Sequence, residues 1–216
     1  MLYKIISVII EVIFPKTPLE KFISSCSYIE FEQKLTPRNQ TKSMMFFPFY
    51  YKDPFVRDCI IELKERDNQN IAKFFAYILF RFIAKTMHDM PDKNFFLVPV
   101  PQHISKTKEK GFCHTTTLTK QIYELLQIRN FSNVYIKPCI IKQKNIKKLH
   151  TLKSKPIRFN LIKNSMKAYI TKQDAQHVFF IIDDVYTSGA TFKEIRRSLE
   201  GCGVFPEHIF FVSIAH

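Results

Sequence analysis

Residues 178–191 read Val-Phe-Phe-Ile-Ile-Asp-Asp-Val-Tyr-Thr-Ser-Gly-Ala-Thr. The apolar run from Val178 to Ile182 suits a strand buried on both faces of a parallel sheet. Two carboxylates follow, then a loop of hydroxyls with one glycine, then the helical pattern from Phe192 to Leu199. Strand, loop and helix in that order predict a phosphate cradle. Gly189 lets the backbone turn tightly, successive N–H groups converge, and the helix start adds positive partial charge. Thr187, Ser188 and Thr191 offer hydroxyl donors around Ala190. Asp183 and Asp184 stand where the vicinal hydroxyls of a ribose need acceptors. One phosphate and one diol together point to a phosphorylated ribose.

Helices and strands alternate on the N-terminal side of this unit. Residues 44–51 form an aromatic strand candidate interrupted at Pro48, which marks an edge or a bend. Asp53-Pro54 predicts a helix start, with Phe55, Cys59 and Leu63 along one face. Residues 70–87 read as a longer helix, apolar around most of its girth. Residues 95–100 read as a buried strand ending in Pro99-Val100-Pro101, 101–111 as a polar basic loop, 115–126 as a helix and 133–137 as a strand. A helix over 190–201 and a last strand over 208–214 complete the pattern. The alternation predicts a parallel sheet with helical crossovers. In such sheets ligands lie beyond the carboxyl ends of the strands, where the strand order switches, so the loops 101–114 and 183–191 are expected to share one crevice.

A chain of 216 residues accommodates one α/β domain with a small extension. We divide it at 1–43, an N-terminal amphipathic helix and an irregular connector, and 44–216, the α/β domain. The run 2–14 carries Lys4 and Glu11 and is too short to span a bilayer. It is expected to dock on the domain, with peripheral attachment to a membrane surface as the lesser alternative. The five cysteines are scattered, with no Cys-x-x-Cys pair, which argues against a zinc ribbon or a disulfide framework and fits a reducing cytoplasm.

The net charge of +14 is unevenly placed. Between Glu124 and Asp174 no acid occurs, and twelve of the 33 Lys+Arg fall there; the rest of the chain is close to neutral. Lys142, Lys144, Lys147, Lys148, Lys153, Lys155 and Arg158 form the densest part, with His150, Phe159 and Tyr169 as stacking groups for bases. Such a segment fits nucleic-acid phosphates, and it fits a solvated surface loop as well.

The 178–191 stretch resembles the phosphoribosyl diphosphate (PRPP) motif of the phosphoribosyltransferases. Further segments narrow the likeness to the ComF family. Val98-Pro99-Val100-Pro101 with Lys108-Glu109-Lys110-Gly111-Phe112 resembles its Pro-Val-Pro strand end and Arg-Gly-Phe-Asn-Gln turn. Asn164 to Tyr169 resembles its Asn-Val-x-Gly-Ala-Phe stretch, and Asp53 to Lys64 its short helix ending in Leu-Lys. The likeness spans most of 44–214. It departs at Lys110, where the family has Arg, at Cys113 and His114, where Asn and Gln are usual, and at the missing four-cysteine zinc module, so no zinc is expected.

The resemblance implies a type I phosphoribosyltransferase-like, Rossmann-like fold: a parallel sheet flanked by helices. It implies that Asp183, Asp184, Thr187, Ser188, Gly189, Ala190 and Thr191 bind PRPP, with Asp183 and Asp184 the catalytic pair if the chain turns over. Pro101, Gln102 and Lys110 would take the pyrophosphate, and Mg²⁺ would arrive with PRPP rather than on protein ligands of its own. His114 is a further candidate base. Two functions follow. One is a PRPP-binding protein of DNA uptake in natural transformation, handling single-stranded DNA or contacting the uptake machinery. The other is an active transferase that moves 5-phosphoribosyl from PRPP to a nitrogen acceptor and releases pyrophosphate.

Overall fold

The computed structural model describes residues 17–37, 41–42, 44–102, 104–143 and 164–216. The expected helix at 2–14 and the basic positions Lys144 to Arg158, with His150 and Phe159, lie outside the described residues. Strands β1 (Thr41–Lys42), β2 (Met45–Phe46), β3 (Phe95–Pro99), β4 (Val134–Ile136), β7 (Val178–Val185) and β8 (Ile209–Ala215) form one sheet in the order β1-β2-β8-β7-β3-β4. Apart from antiparallel β1, the five strands run parallel. The α/β class and the parallel sheet with helical crossovers thus stand as expected.

Alternation along the central strands divides the core in two. Phe95, Leu97, Val178, Phe180, Ile182, Phe210, Val212 and Ile214 face one side. Phe96, Val98, Phe179, Ile181, Ile209 and Phe211 face the other. A continuous apolar run is what a strand covered on both faces requires. On the first face pack α3 (Pro54–Arg66), α4 (Gln69–His88) and α6 (His114–Ile128). The second face is covered by α7 (Ala190–Glu200) and by a two-stranded antiparallel ribbon of β5 (Ile140–Lys142) and β6 (Met166–Ala168). Each fully buried Phe of these layers, such as Phe95 or Phe180, contributes roughly 1.5–3 kcal/mol by leaving water.

Local signals explain the helix starts. The Asp53 side chain accepts hydrogen bonds from the N–H groups of Phe55 (2.9 Å) and Val56 (3.2 Å), and Pro54 occupies the first turn. Asn68 caps α4 in the same way through Ile71 N–H.

Several expectations need correction. Residues 17–37 are not an irregular connector: they hold α1 (Pro18–Ser25) and α2 (Tyr28–Gln33), each opened by a capping box, Thr17 with Glu20 and Ser27 with Glu30. Their Ile23 and Phe31 are buried in the first core layer, with Phe31 stacked on Phe74. The aromatic strand near Pro48 shortens to β2, because Pro48 has no N–H to give a ladder, although Phe49 still bridges Ala215. The basic loop after Pro101 contains a helix, α5 (Ile104–Lys110), which ends at Gly111 with φ +77. The strand at 178 runs on through both acids to Val185.

Among the described residues, no helix is long and apolar enough to cross a membrane.

Candidate ligand crevice at the carboxyl ends of β3 and β7

β3 and β7 are hydrogen-bonded neighbours whose last paired residues are Pro99 and Ile182. Val100 N–H still donates to Ile182 O (2.9 Å) before the two chains part. From that point β3 leads through α5 and α6 to β4 on one side, and β7 leads through α7 to β8 on the other. Because α6 and α7 cover opposite faces, the strand order switches between β3 and β7, the position at which sheets of this kind hold ligands. The loops carrying Pro101-Gln102 and Asp183 to Thr191 therefore leave adjacent strand ends, as expected from the residue order.

Within β7 the two acids diverge. Period-two alternation sends Asp184 toward the face of Phe180 and Ile182, and Asp183 toward that of Phe179 and Ile181. Asp184 is buried. Its Oδ2 lies 2.5 Å from Lys64 Nζ and 3.1 Å from His114 Nε2. Asp183 is half-buried, and its Oδ1 accepts the N–H of Asp184 (2.9 Å). Burial pushes the Asp183 carboxyl up to about 7, against the opposing pull of the Lys64 and Lys142 ammonium groups.

Beyond β7, Thr187 and Ser188 are exposed, Ala190 and Thr191 half-buried and Gly189 buried. Gly189 is the N-cap of α7 with φ +71, and no side chain caps the helix. Backbone donors at the start of α7 thus carry no side-chain cap, a natural seat for an anion. Tyr186 packs beneath the loop against Phe47 and His216. An added Cβ at Gly189 would overlap the Tyr186 hydroxyl.

The pyrophosphate candidates separate. Pro101 and Gln102 are half-buried at the exit of β3, and the Gln102 amide nitrogen bonds His114 Nδ1. Lys110 is engaged elsewhere: its ammonium donates to Lys64 O (3.0 Å) and Glu65 Oε2 (2.7 Å) at the end of α3. The start of α6 is fastened to the same strand exit, since Thr115 Oγ1 donates to Val100 O (2.8 Å). Burial raises the Cys113 thiol, yet hydrogen bonds from Thr115, Thr116 and the backbone of Thr116 and Gln102 outweigh it and leave the thiol below its ordinary value.

Of the basic residues expected to meet nucleic acid, Lys142 alone lies among the described residues. It is half-buried on β5, on the ribbon face shared with Ile140, and its charge acts on Asp183. Tyr169 remains exposed, with the Lys167 ammonium 5.1 Å from its ring centre.

The stretch 164–169 has a structural task. Buried Glu194 of α7 accepts backbone hydrogen bonds from Asn164 and Met166 and a two-pronged bond from Arg197. Ala168 N–H donates to Ser198 Oγ (2.7 Å). A cleft of about 330 Å³ lies here, lined by Asn164, Lys167, Arg197 and Cys202 among others, beside the second half of α7 rather than at its start.

Lys64, quoted in the sequence only as the end of a helix motif, has a contact at the candidate site that the motif itself does not announce. Its signal was present: it stands four residues after Ile60 on the buried stripe Val56, Cys59, Ile60, Leu63, where a lysine calls for a carboxylate partner. Among the described residues no cluster of three or more His, Cys, Asp or Glu side chains is arranged to hold a metal ion. Compared with protein-family models and with curated proteins, the chain matches none.

Proposed function

We propose that this chain is a PRPP-binding protein of ComF type, built on the type I phosphoribosyltransferase fold, that handles single-stranded DNA in the cytoplasm during DNA uptake. The observation that carries the ligand half is the β7–α7 junction. There a half-buried carboxylate, Asp183, and the uncapped start of α7 stand together at the divergence of β3 and β7. In this reading the 5-phosphate sits on the backbone N–H groups of the 187–191 loop, with Thr187, Ser188 and Thr191 as hydroxyl donors. Asp183 accepts the ribose hydroxyls, and the diphosphate extends toward Pro101 and Gln102. Mg²⁺ would come with PRPP, neutralising its diphosphate oxygens, with Asp183 as the carboxylate facing it. Asp184, turned to the opposite face, is held by Lys64 and His114 rather than by the ligand.

The same groups serve transfer, if a nitrogen acceptor enters. The acceptor would attack C1 of the ribose as the pyrophosphate departs, and Asp183 would stand against the positive charge that develops on the sugar. Pyrophosphate release with nucleobases or amines as acceptors separates this activity from binding alone.

Asp183 makes the ligand assignment testable through pH. An acid whose folded pKa is raised to about 7 supports the fold most when protonated, below its unfolded value, and that support is lost as pH rises through 7. Ribose hydroxyls favour the ionised form. PRPP affinity, by calorimetry with Mg²⁺, is therefore expected to rise between about pH 6 and pH 8 more steeply in the wild type than in Asp183→Asn. At the upper end of that range the variant binds at least ~10-fold more weakly, the scale of a missing bond to a charged group. There it is also the more stable protein. Equal affinities in the two proteins would remove Asp183 from the site.

The DNA half rests on the charge segment. Lys147→Ala with Lys148→Ala is expected to weaken single-stranded DNA binding. Its log–log slope against salt should flatten by roughly 0.7 for each phosphate those lysines neutralise. Binding indifferent to both lysines would contradict this assignment.

A further inference from the structure

We propose that His114 is a positioning residue that ties the ribose end of the crevice to its diphosphate end, acting through Gln102. The inference rests on the PRPP reading above. One chain of contacts crosses the two strand ends. Lys64 Nζ meets Asp184 Oδ2 at 2.5 Å, the same carboxylate oxygen lies 3.1 Å from His114 Nε2, and His114 Nδ1 bonds the Gln102 amide nitrogen. The His114 and Asp184 side chains are 10% and 8% exposed, so these contacts form out of reach of most water.

The direction of the bonds follows from the partners. A Gln amide nitrogen can only donate, so Nδ1 accepts, and the proton on Nε2 faces the carboxylate. A carboxylate behind an imidazole holds its ring in one orientation and one tautomer, and the ring can then hold one orientation of Gln102. The backbone is braced at the same place. Thr115 Oγ1 is bonded to Val100 O, and the Cys113 thiol receives the Gln102 N–H. His114, the first residue of α6, cannot drift without carrying the exit of β3 with it.

The consequence is a division of labour between the acids. Asp183 meets ligand, whereas Asp184 sets the loop that meets the other end of the ligand. The 5-phosphate and ribose contacts lie on β7 and α7 and do not pass through His114. The diphosphate contacts lie after β3 and do. Removing the imidazole is therefore expected to damage one half of the site and spare the other, which removal of a merely structural buried group would not do.

The test measures three ligands on each protein by calorimetry: ribose 5-phosphate, Mg²⁺ pyrophosphate and Mg²⁺ PRPP. In His114→Ala the affinities for pyrophosphate and PRPP are expected to fall about tenfold, while that for ribose 5-phosphate stays within about twofold. His114→Gln, which keeps an acceptor and a donor near the same places, is expected to recover much of the loss. Because His114 acts through Gln102, the double variant with Gln102→Ala should lose no more than Gln102→Ala alone. Should His114→Ala fold poorly, Gln102→Ala alone carries the same comparison, with pyrophosphate and PRPP affinities falling and ribose 5-phosphate affinity spared. Parallel loss for all three ligands, no loss for any, or additive losses in the double variant would each overturn the inference. A wild-type protein that binds none of the three overturns the PRPP reading itself, an outcome distinct from a wild type that binds all three and a His114→Ala protein that does so unchanged.

Discussion

Gly189→Ala should unfold the β7–α7 junction locally and cost about 2–5 kcal/mol of stability, the sum of two penalties. The residue sits at φ +71, where an L side chain pays roughly 1–2 kcal/mol. The new Cβ would also overlap the Tyr186 hydroxyl and lie 2.7 Å from its Cζ, so the ring must move. Tyr186 has little freedom to do so, being packed against both Phe47 and His216, which also touch each other, and set edge-on to Phe211. Forcing a packed ring aside costs about 1–3 kcal/mol. Urea unfolding reads the loss, and PRPP affinity should fall with it, because the moved loop carries the proposed phosphate donors. Tyr186→Phe in the same protein removes the closest clash but leaves the one at Cζ, so it should restore part of the stability. A Gly189→Ala protein as stable as wild type would contradict this description of the turn.

Lys64→Ala is expected to cost about 2–3 kcal/mol, or roughly 5–10 °C in Tm for a chain of this size. Breaking a fully buried pair costs about 3–5 kcal/mol. The lower figure reflects Lys64, whose side chain is 32% exposed against 8% for Asp184. Lys64 can turn to water when its partner is removed; Asp184 cannot. The double variant Lys64→Ala with Asp184→Ala should therefore cost less than the two single losses together, by at least about 1 kcal/mol. Strictly additive losses would show that the 2.5 Å ion pair contributes nothing of its own. Lys110 adds a further tie at this corner, since it bonds the carbonyl of Lys64 itself.

Much of this architecture can be read from residue order. The Asp53-Pro54 start, the long α4 and the apolar run of β7 followed by an acid pair and a Gly loop all have strong local chemistry, and all fold as read save that β7 runs on through the acids to Val185. Other parts lacked such a signal. β5 and β6 are three residues each, too short to display a period, and they find each other only across the 143–165 stretch. α5 is polar after Ile104 and shows no apolar stripe. In α1 and α2 the periodicity is too brief to notice, although both capping boxes were present at 17–20 and 27–30.

The placement of the candidate site residues was legible in part. Asp183, Gln102 and the 187–191 loop arrive at adjacent strand ends because the topology demands it. The different fate of Asp184 follows from extending the strand by three residues, which places it in register with Phe180 and Ile182. Lys110 could not be placed from sequence, because its partner is a helix end 45 residues earlier in the chain.

Occupancy of the β7–α7 junction by PRPP is tested most directly by following backbone amide resonances while Mg²⁺ PRPP is added. Saturable changes are expected at 183–191 and 101–102, absent from the cleft beside Arg197 and Cys202, and abolished or strongly weakened in Asp183→Asn. Saturable changes that leave residues 183–191 untouched, or no changes at millimolar PRPP, would contradict it.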